Sequence, residues 1–370
     1  MCLGAEDSYT YKYRIKATRL GSLNITVSGF VDPSYSEDCA PKSVIRRRDV
    51  VQKSLLVEPE GYPSSLTKSI LLCANDSSGV DNIEWDINLP ENVVPNSVNG
   101  KVMVNSDILG PMFQNLEDIL VVPVGCGEQT MATLTPNLYV LQYLQANNIL
   151  TDEIKERITT NLEIGYQRML TYVHNDGSFS AFGKHDRDGS MFLTAFVVRS
   201  FRQMKNHIFI DDTVIDRAVE WMKSHQLENG CFDPMRHVFH EMGLASSRNQ
   251  TTALTSYVLI SLLETNTGVD KHVLTKIETC ILNDSTMDKY TLAISSYALG
   301  LLGRSRKART RLDMLMKQSQ SNQGQLWWKQ SENSLPANVE TSSYVLISLL
   351  RQDSISNLGT ANAIVRWLQT

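Results

Sequence analysis

The phrase "LTSYVLISLL" (Leu254–Leu263) and its near-copy "TSSYVLISLL" (Thr341–Leu350) constrain the architecture of this chain more than any other feature. "LTAFVVRSF" (Leu193–Phe201) and "AISSYALGLL" (Ala293–Leu302) keep the same order of small residues, an aromatic ring and an apolar run. The rings of Phe196, Tyr257, Tyr297 and Tyr344 stand 61, 40 and 47 residues apart, each about the length of a helical hairpin with its loops. Hairpins recurring at such a period bury their apolar faces on one another, which predicts a solenoid or a closed α/α toroid. "DGSF" (Asp176–Phe179) and "NGCF" (Asn229–Phe232) punctuate them as turns. The aromatic wording itself reads as core rather than as a ligand site.

Helical texture begins at about Leu116. Met131, Leu134, Leu138, Leu141 and Leu144 recur at intervals of three and four, and Thr135-Pro136 is placed to start a new helix as cap and first residue. Thr151-Asp152-Glu153 and Asp211-Asp212 read as acidic first turns, where a carboxylate accepts backbone N–H bonds and opposes the helix dipole. Upstream the period is two. Tyr9, Tyr11, Tyr13 and Ile15 alternate with Thr10, Lys12, Arg14 and Lys16, and Leu23, Ile25 and Val27 continue after a Gly21-Ser22 turn. Trp85, Ile87 and Leu89 repeat the pattern before Pro90, so roughly the first hundred residues are expected to be antiparallel β structure. The fold class is therefore mixed, with N-terminal antiparallel β-sandwich segments followed by an all-α toroid.

Composition narrows the function. At 370 residues, 42% hydrophobic and 20% charged, the chain is globular and long enough for two or three domains. A formal net charge of -5 argues against a nucleic-acid partner, and Arg46-Arg47-Arg48 reads as a solvated loop. No stretch approaches the ~20 consecutive apolar residues of a membrane helix, and Met1–Glu6 lacks the apolar core of a signal peptide. Sequons at Asn24, Asn75, Asn249 and Asn283 nevertheless suggest glycan acceptors of a secreted chain. Together these predict an internal piece of a longer extracellular protein.

The chemistry concentrates in "VPVGCGEQTM" (Val122–Met131), where Cys126 sits between Gly125 and Gly127, two residues before Glu128 and three before Gln129. A thiolate is a good nucleophile and a carboxamide a poor electrophile, so the pair is ordinarily inert. Glycine opens backbone conformations closed to other residues, letting Cys126 Sγ meet the Gln129 carbonyl. Effective molarities of up to ~10⁵–10⁸ M show that proximity alone can rescue such an acyl transfer. Loss of ammonia leaves a thioester, an activated acyl group that must be kept dry until a nearby amine or hydroxyl attacks it. The competing readings are an inert cysteine in a flexible turn and a zinc ligand, for which no CxxC spacing exists.

"GCGEQ" (Gly125–Gln129) running into a helix resembles the thioester motif of the α2-macroglobulin and complement family. "SLLVEPEG" (Ser54–Gly61), "DILGPMFQNLEDIL" (Asp107–Leu120), "TPNLYVLQYL" (Thr135–Leu144), "GYQRML" (Gly165–Leu170) and "DGSFSAFG" (Asp176–Gly183) are similar to segments flanking it in that family. The resemblance implies the end of a macroglobulin-type β-sandwich over residues 1–49, the first part of a CUB-like β domain over 50–115, and a thioester-bearing α/α toroid over 116–370. It also implies that a bait region and further domains lie outside this sequence, and that the toroid stops before closing.

"HVFHEM" (His237–Met242) resembles the segment where relatives that favour hydroxyl targets carry a histidine that takes the acyl group first. His240 is the candidate and His237 the alternative, although Gly243-Leu244-Ala245 stands where Gly-Gly is usual. Imidazole suits the role, being partly unprotonated and nucleophilic near neutral pH. Six cysteines allow fifteen complete pairings; the resemblance implies bonds Cys2–Cys39 and Cys231–Cys280, with Cys73 pairing elsewhere. Cys231 with His237 and His240 could instead be drawn as a zinc site, and Asp211-Asp212 as the acidic motif of a terpenoid-cyclase-like toroid enzyme. The reading carried forward is a secreted or surface-anchored protein that needs no cofactor or metal. Through Cys126 and Gln129 it attaches covalently, once, to proteases or to amines and hydroxyls on microbial or cell surfaces, as inhibitor or opsonin. A plain helical interaction scaffold is the remaining alternative.

Overall fold

The computed structural model describes residues 8–30, 48–58, 60–68, 84, 86–95, 97–104, 116–233, 244, 247, 250–264, 268–285, 288–332 and 334–369. The chain forms two compact units, Met1–Lys68 with Ala74–Val104 and Ser69–Cys73 with Asn105–Thr370.

In the first unit, strands β1 (Gly21–Phe30) and β2 (Arg48–Val57) pair antiparallel, with Leu23 opposite Leu55 and Val27 opposite Val51. Gly21 and Ser22, expected as a turn, instead open β1 opposite Val57 and Leu56. Tyr9–Ile15 form no strand. Their alternation is real, since the Tyr9 and Tyr11 rings meet at 4.7 Å and those of Tyr11 and Tyr13 at 6.5 Å. Alternation, however, specifies a face and not a partner for the backbone. Ile87 and Leu89 are likewise unpaired, and Trp85 lies outside the described residues. The antiparallel structure described in this unit is thus one ribbon.

The second unit is an α/α toroid. After the short α1 (Leu116–Ile119), helical hairpins follow as α2 (Gly127–Ala146) with α3 (Asp152–Leu170), α4 (Met191–Met204) with α5 (Asp212–Ser224), and α6 (Gln250–Glu264) with α7 (Lys271–Asn283). They continue as α8 (Lys289–Leu301) with α9 (Ser305–Met316) and α10 (Leu335–Gln352) with α11 (Leu358–Leu368). A small antiparallel ribbon, β3 (Gln320–Asn322) with β4 (Gln325–Trp327), connects the last two hairpins. The first helices of the hairpins, α2, α4, α6, α8 and α10, pack one on the next, each backed by its own second helix.

The most enclosed of these inner helices, α6 and α8, bury more than one face. In α6 every residue from Thr252 to Leu262 is buried. Hydroxyls survive there because they bond back into their own helix: Thr255 to the Thr251 carbonyl at 2.7 Å, Ser256 to Thr252 at 2.8 Å and Ser261 to Tyr257 at 3.0 Å.

The repeated wording has a second cause. The Phe179 N–H donates to Thr194 Oγ1 at 2.9 Å, the Phe232 N–H to Thr255 Oγ1 at 2.9 Å, and the Trp328 N–H to Ser342 Oγ at 3.2 Å. In each case a fully buried aromatic, just past a turn at Phe179 and Phe232 and just past β4 at Trp328, hands its backbone N–H to the hydroxyl two residues ahead of Phe196, Tyr257 or Tyr344. The turns repeat as well. Asp176 Oδ1 accepts from the Ser178 N–H and Asn229 Oδ1 from the Cys231 N–H, with Gly177 and Gly230 at φ of 94° and 84°. Thr255→Val keeps the shape but strands the buried Phe232 N–H, which costs about 1–3 kcal/mol. The expected result is a lower denaturant midpoint with an unchanged slope; an unmoved midpoint refutes the pairing.

One helix start differs from expectation. Thr135 and Pro136 lie inside α2, which begins eight residues earlier at Gly127. Pro136 removes the bond to the Ala132 carbonyl, but Ala132 is on the exposed side where water can replace it. Neighbouring carbonyls are held by Thr135 Oγ1, which donates to Met131 at 2.8 Å, and by Asn137 Nδ2, which donates to Thr133 at 2.9 Å. The acidic starts match: Thr151 Oγ1 accepts from the Ile154 N–H, and Asp211 Oδ1 from the Thr213 N–H.

Candidate functional site

Cys126 is the N-cap of α2, with φ of -72° and ψ of 177°, so Gly127, Glu128 and Gln129 are its first three helical residues. This places the thiol and the carboxamide at the two ends of a capping box, the arrangement in which N-cap and third-residue side chains reach for each other's backbone N–H. Gln129 Oε1 accepts from the Cys126 N–H at 3.2 Å. Cys126 Sγ faces the Gln129 N–H in return, sulfur being too weak an acceptor to make a full cap bond. Helix capping thus supplies the proximity that the chemistry requires.

The two glycines serve different ends. Gly125 has φ of 95°, and a Cβ there would lie 2.3 Å from Gln129 Oε1 and 2.8 Å from Gln129 Cβ. Its bareness lets the glutamine fold back over the loop. Gly127 has an ordinary helical backbone; a Cβ there would sit 2.7 Å from the Ser180 carbonyl oxygen and 3.2 Å from Leu193 Cδ2. Its N–H donates to the Ala181 carbonyl at 2.8 Å, docking the start of α2 onto the "DGSFSAFG" loop.

A third anchor comes from α3. Because α3 runs antiparallel to α2, its C-terminal end lies beside the start of α2. There the Gly125 carbonyl oxygen accepts from Arg168 Nη2 at 2.6 Å, Arg168 Nε at 3.1 Å and Tyr172 Oη at 2.7 Å. Arg168 Nε also donates to Thr130 Oγ1 at 3.2 Å, and the Thr130 N–H holds the Cys126 carbonyl at 2.8 Å. The thiol of Cys126 is unpaired with any other cysteine and half-buried, Glu128 is buried, and Gln129 is exposed.

The profile of the A-macroglobulin TED domain matches residues 102–370. The chain belongs to the α2-macroglobulin family. Ovostatin of Gallus gallus is 33% identical over 386 residues, spanning all of this chain and 26% of that protein. Alpha-2-macroglobulin-like protein 1 of Mus musculus is 32% identical over 384 residues, spanning 99% of this chain and 26% of that protein. The chain thus covers about a quarter of the length of these macroglobulin relatives.

Within this macroglobulin-family chain the structure brings together Gly125, Cys126, Gly127, Glu128 and Gln129, and joins Cys231 to Cys280 in a disulfide. That bond removes Cys231 from any zinc site. Asp211 is spent as a cap, and Asp212 pairs with Lys205 and Arg202. The Lys205 hydrogen bond, more than its charge, holds the Asp212 carboxyl below its ordinary value. Among the described residues no group of three or more His, Cys, Asp or Glu could hold a metal ion, and no helix is long and apolar enough to cross a membrane. Asn24 on β1 and Asn283 at the end of α7 are exposed. His237, His240, Cys2, Cys39, Cys73, Asn75 and Asn249 lie outside the described residues. The residues that sequence reasoning missed are Arg168, Tyr172 and Thr130; nothing in their local wording announces that they converge on Gly125.

Proposed function

We propose that Cys126 and Gln129 close into an internal thioester with which the protein captures a target surface covalently. The observation that carries this is the fold-back of the Gln129 side chain over Gly125, into space that any other residue would fill. The Cys126 sulfur adds to Gln129 Cδ, the tetrahedral intermediate collapses, and ammonia leaves with the thiol proton. An amine on a target later adds to the same carbon, forming an amide and returning Cys126 as a thiol. Each molecule acts once, so this is group transfer without turnover.

In this reading residues 1–49 and 50–115 are the end of a macroglobulin-type domain and the start of a CUB-like one, ahead of the toroid at 116–370, with β2 (Arg48–Val57) running across the join. The protein is secreted or surface-anchored, with glycans on Asn24, Asn75, Asn249 and Asn283. Cys2 pairs with Cys39. Its targets are proteases, or amines and hydroxyls on microbial and cell surfaces, and His240 serves as the acyl acceptor that extends attack to hydroxyls.

Intact mass of the native protein tests the proposal. It is expected to fall short by one ammonia; methylamine adds its own mass and frees one thiol, and Cys126→Ala abolishes both effects. An untreated protein with a free Cys126 thiol and an ordinary Gln129 amide rules the thioester out. In the same assay His240→Asn shifts labelling from glycerol toward methylamine, and an unchanged ratio removes His240 from the mechanism.

A further inference from the structure

The Gly125 carbonyl and the Cys126 N–H are the two ends of one peptide unit, and both are engaged. The carbonyl oxygen takes Arg168 Nη2 at 2.6 Å, Arg168 Nε at 3.1 Å, Tyr172 Oη at 2.7 Å and, more weakly, Thr130 Oγ1 at 3.4 Å. The N–H points at Gln129 Oε1 at 3.2 Å. That is more donors than a loop carbonyl needs for anchoring, since an oxygen has two lone pairs. Donors on a carbonyl polarise its peptide unit and strengthen the hydrogen bond made by the N–H at the other end. Here the strongest donor is a cation, and charge-assisted bonds are about twice as strong as neutral ones.

Resting on the thioester reading, we infer that Arg168 and Tyr172 are positioning residues that polarise the Gly125–Cys126 peptide, so that its N–H stabilises the oxyanion formed on Gln129 Oε1. When Cys126 Sγ adds to Cδ, the C=O electron pair moves onto Oε1, the atom already facing the N–H. When ammonia leaves, the pair returns to re-form C=O. Attack of an amine on the thioester places negative charge on the same oxygen and uses the same donor before Cys126 departs. The guanidinium also lies on the far side of that peptide, adding a fixed positive field in the direction the charge grows. Removing a direct oxyanion donor slows acyl transfer about 10²–10³-fold, and a relayed effect is smaller.

The test is the rate constant for methylamine cleavage, measured only on molecules that carry the thioester, in Arg168→Met, Arg168→Lys and Tyr172→Phe variants of the native protein. Expected are a roughly tenfold slower reaction for Arg168→Met, roughly threefold for Tyr172→Phe, and an intermediate value for Arg168→Lys, whose charge restores part of the field. If these side chains merely hold the loop, the variants lower the fraction of molecules bearing a thioester while the bearers react at the wild-type rate or faster. That result overturns the inference. Should Arg168→Met fail to fold or to close the ring, Tyr172→Phe, which removes one hydroxyl, decides by the same criterion. A wild-type protein with no ammonia deficit is a different failure, and sinks the thioester itself.

Discussion

Gly125→Ala is expected to yield a folded protein with no thioester at all. The residue holds φ of 95°, where an L side chain is strained. Its new Cβ would arrive 2.3 Å from Gln129 Oε1, 2.8 Å from Gln129 Cβ and 3.1 Å from Cδ. One of the two partners must move. The loop is the less free, held through the Gly125 carbonyl by Arg168 and Tyr172 and through the Cys126 carbonyl by the Thr130 N–H. The exposed Gln129 amide swings away, losing the Cys126 N–H and with it the approach to sulfur, while the contact to Gln129 Cβ, which rotation cannot move, forces a small shift of the loop against the first turn of α2. The stability cost is about 1–3 kcal/mol of backbone strain, while the loss of the acyl bond is complete. Intact mass without the ammonia deficit, one titratable thiol and no methylamine uptake are the expected readings, alongside a cooperative melt. A variant that kept a methylamine-sensitive bond would show that the fold-back is not needed.

The repeats of the toroid were legible in sequence because enclosure on several sides leaves little choice of residue. Thr255 and Tyr257 and their counterparts fall on successive inner helices, as the echo foretold. The reason for the hydroxyl was hidden, since the Phe232 N–H reaches Thr255 only after two elements have packed. The start of α2 was misplaced because Thr135-Pro136 carries the usual cap chemistry, whereas Cys126 is not among the residues that commonly cap. The motif itself was readable, and its physical cause only partly so. Glycine freedom explains Gly125, but Gly127 is bare because the Ser180 carbonyl lies against it. The Tyr9–Ile15 alternation was a correct reading of faces that left pairing undetermined. Arg168 and Tyr172 lie more than forty residues from Gly125, and only the antiparallel return of α3 brings them to it.

The second large effect lies where the inner helices converge. Arg199 on α4 donates from Nε to Glu264 Oε2 on α6 at 2.6 Å, and Tyr297 on α8 donates to Glu264 Oε1 at 2.7 Å. The two charged side chains are only 19% and 16% exposed. Burial by itself weakens the hold of Arg199 on its proton, yet Tyr139, Tyr257, Glu264 and Tyr344 around it raise its pKa overall, so the guanidinium stays charged. Tyr139 belongs to α2 and Tyr344 to α10, so this one cation sits among side chains from the first and last inner helices. Arg199→Met removes the charge and leaves the half-buried Glu264 carboxylate with a single neutral donor, an arrangement that costs about 1–3 kcal/mol. Adding Glu264→Gln removes the orphaned carboxylate, so the double variant is expected to be more stable than Arg199→Met alone, a non-additivity read from a double-mutant cycle. Denaturant unfolding of the three proteins decides it. If Arg199→Met unfolds within about 0.5 kcal/mol of the wild type, as a surface substitution does, the cation does not hold the inner helices together. α2 then keeps its place through its apolar contacts and the bonds at its start, Gly127 N–H to the Ala181 carbonyl and Arg168 to the Gly125 carbonyl.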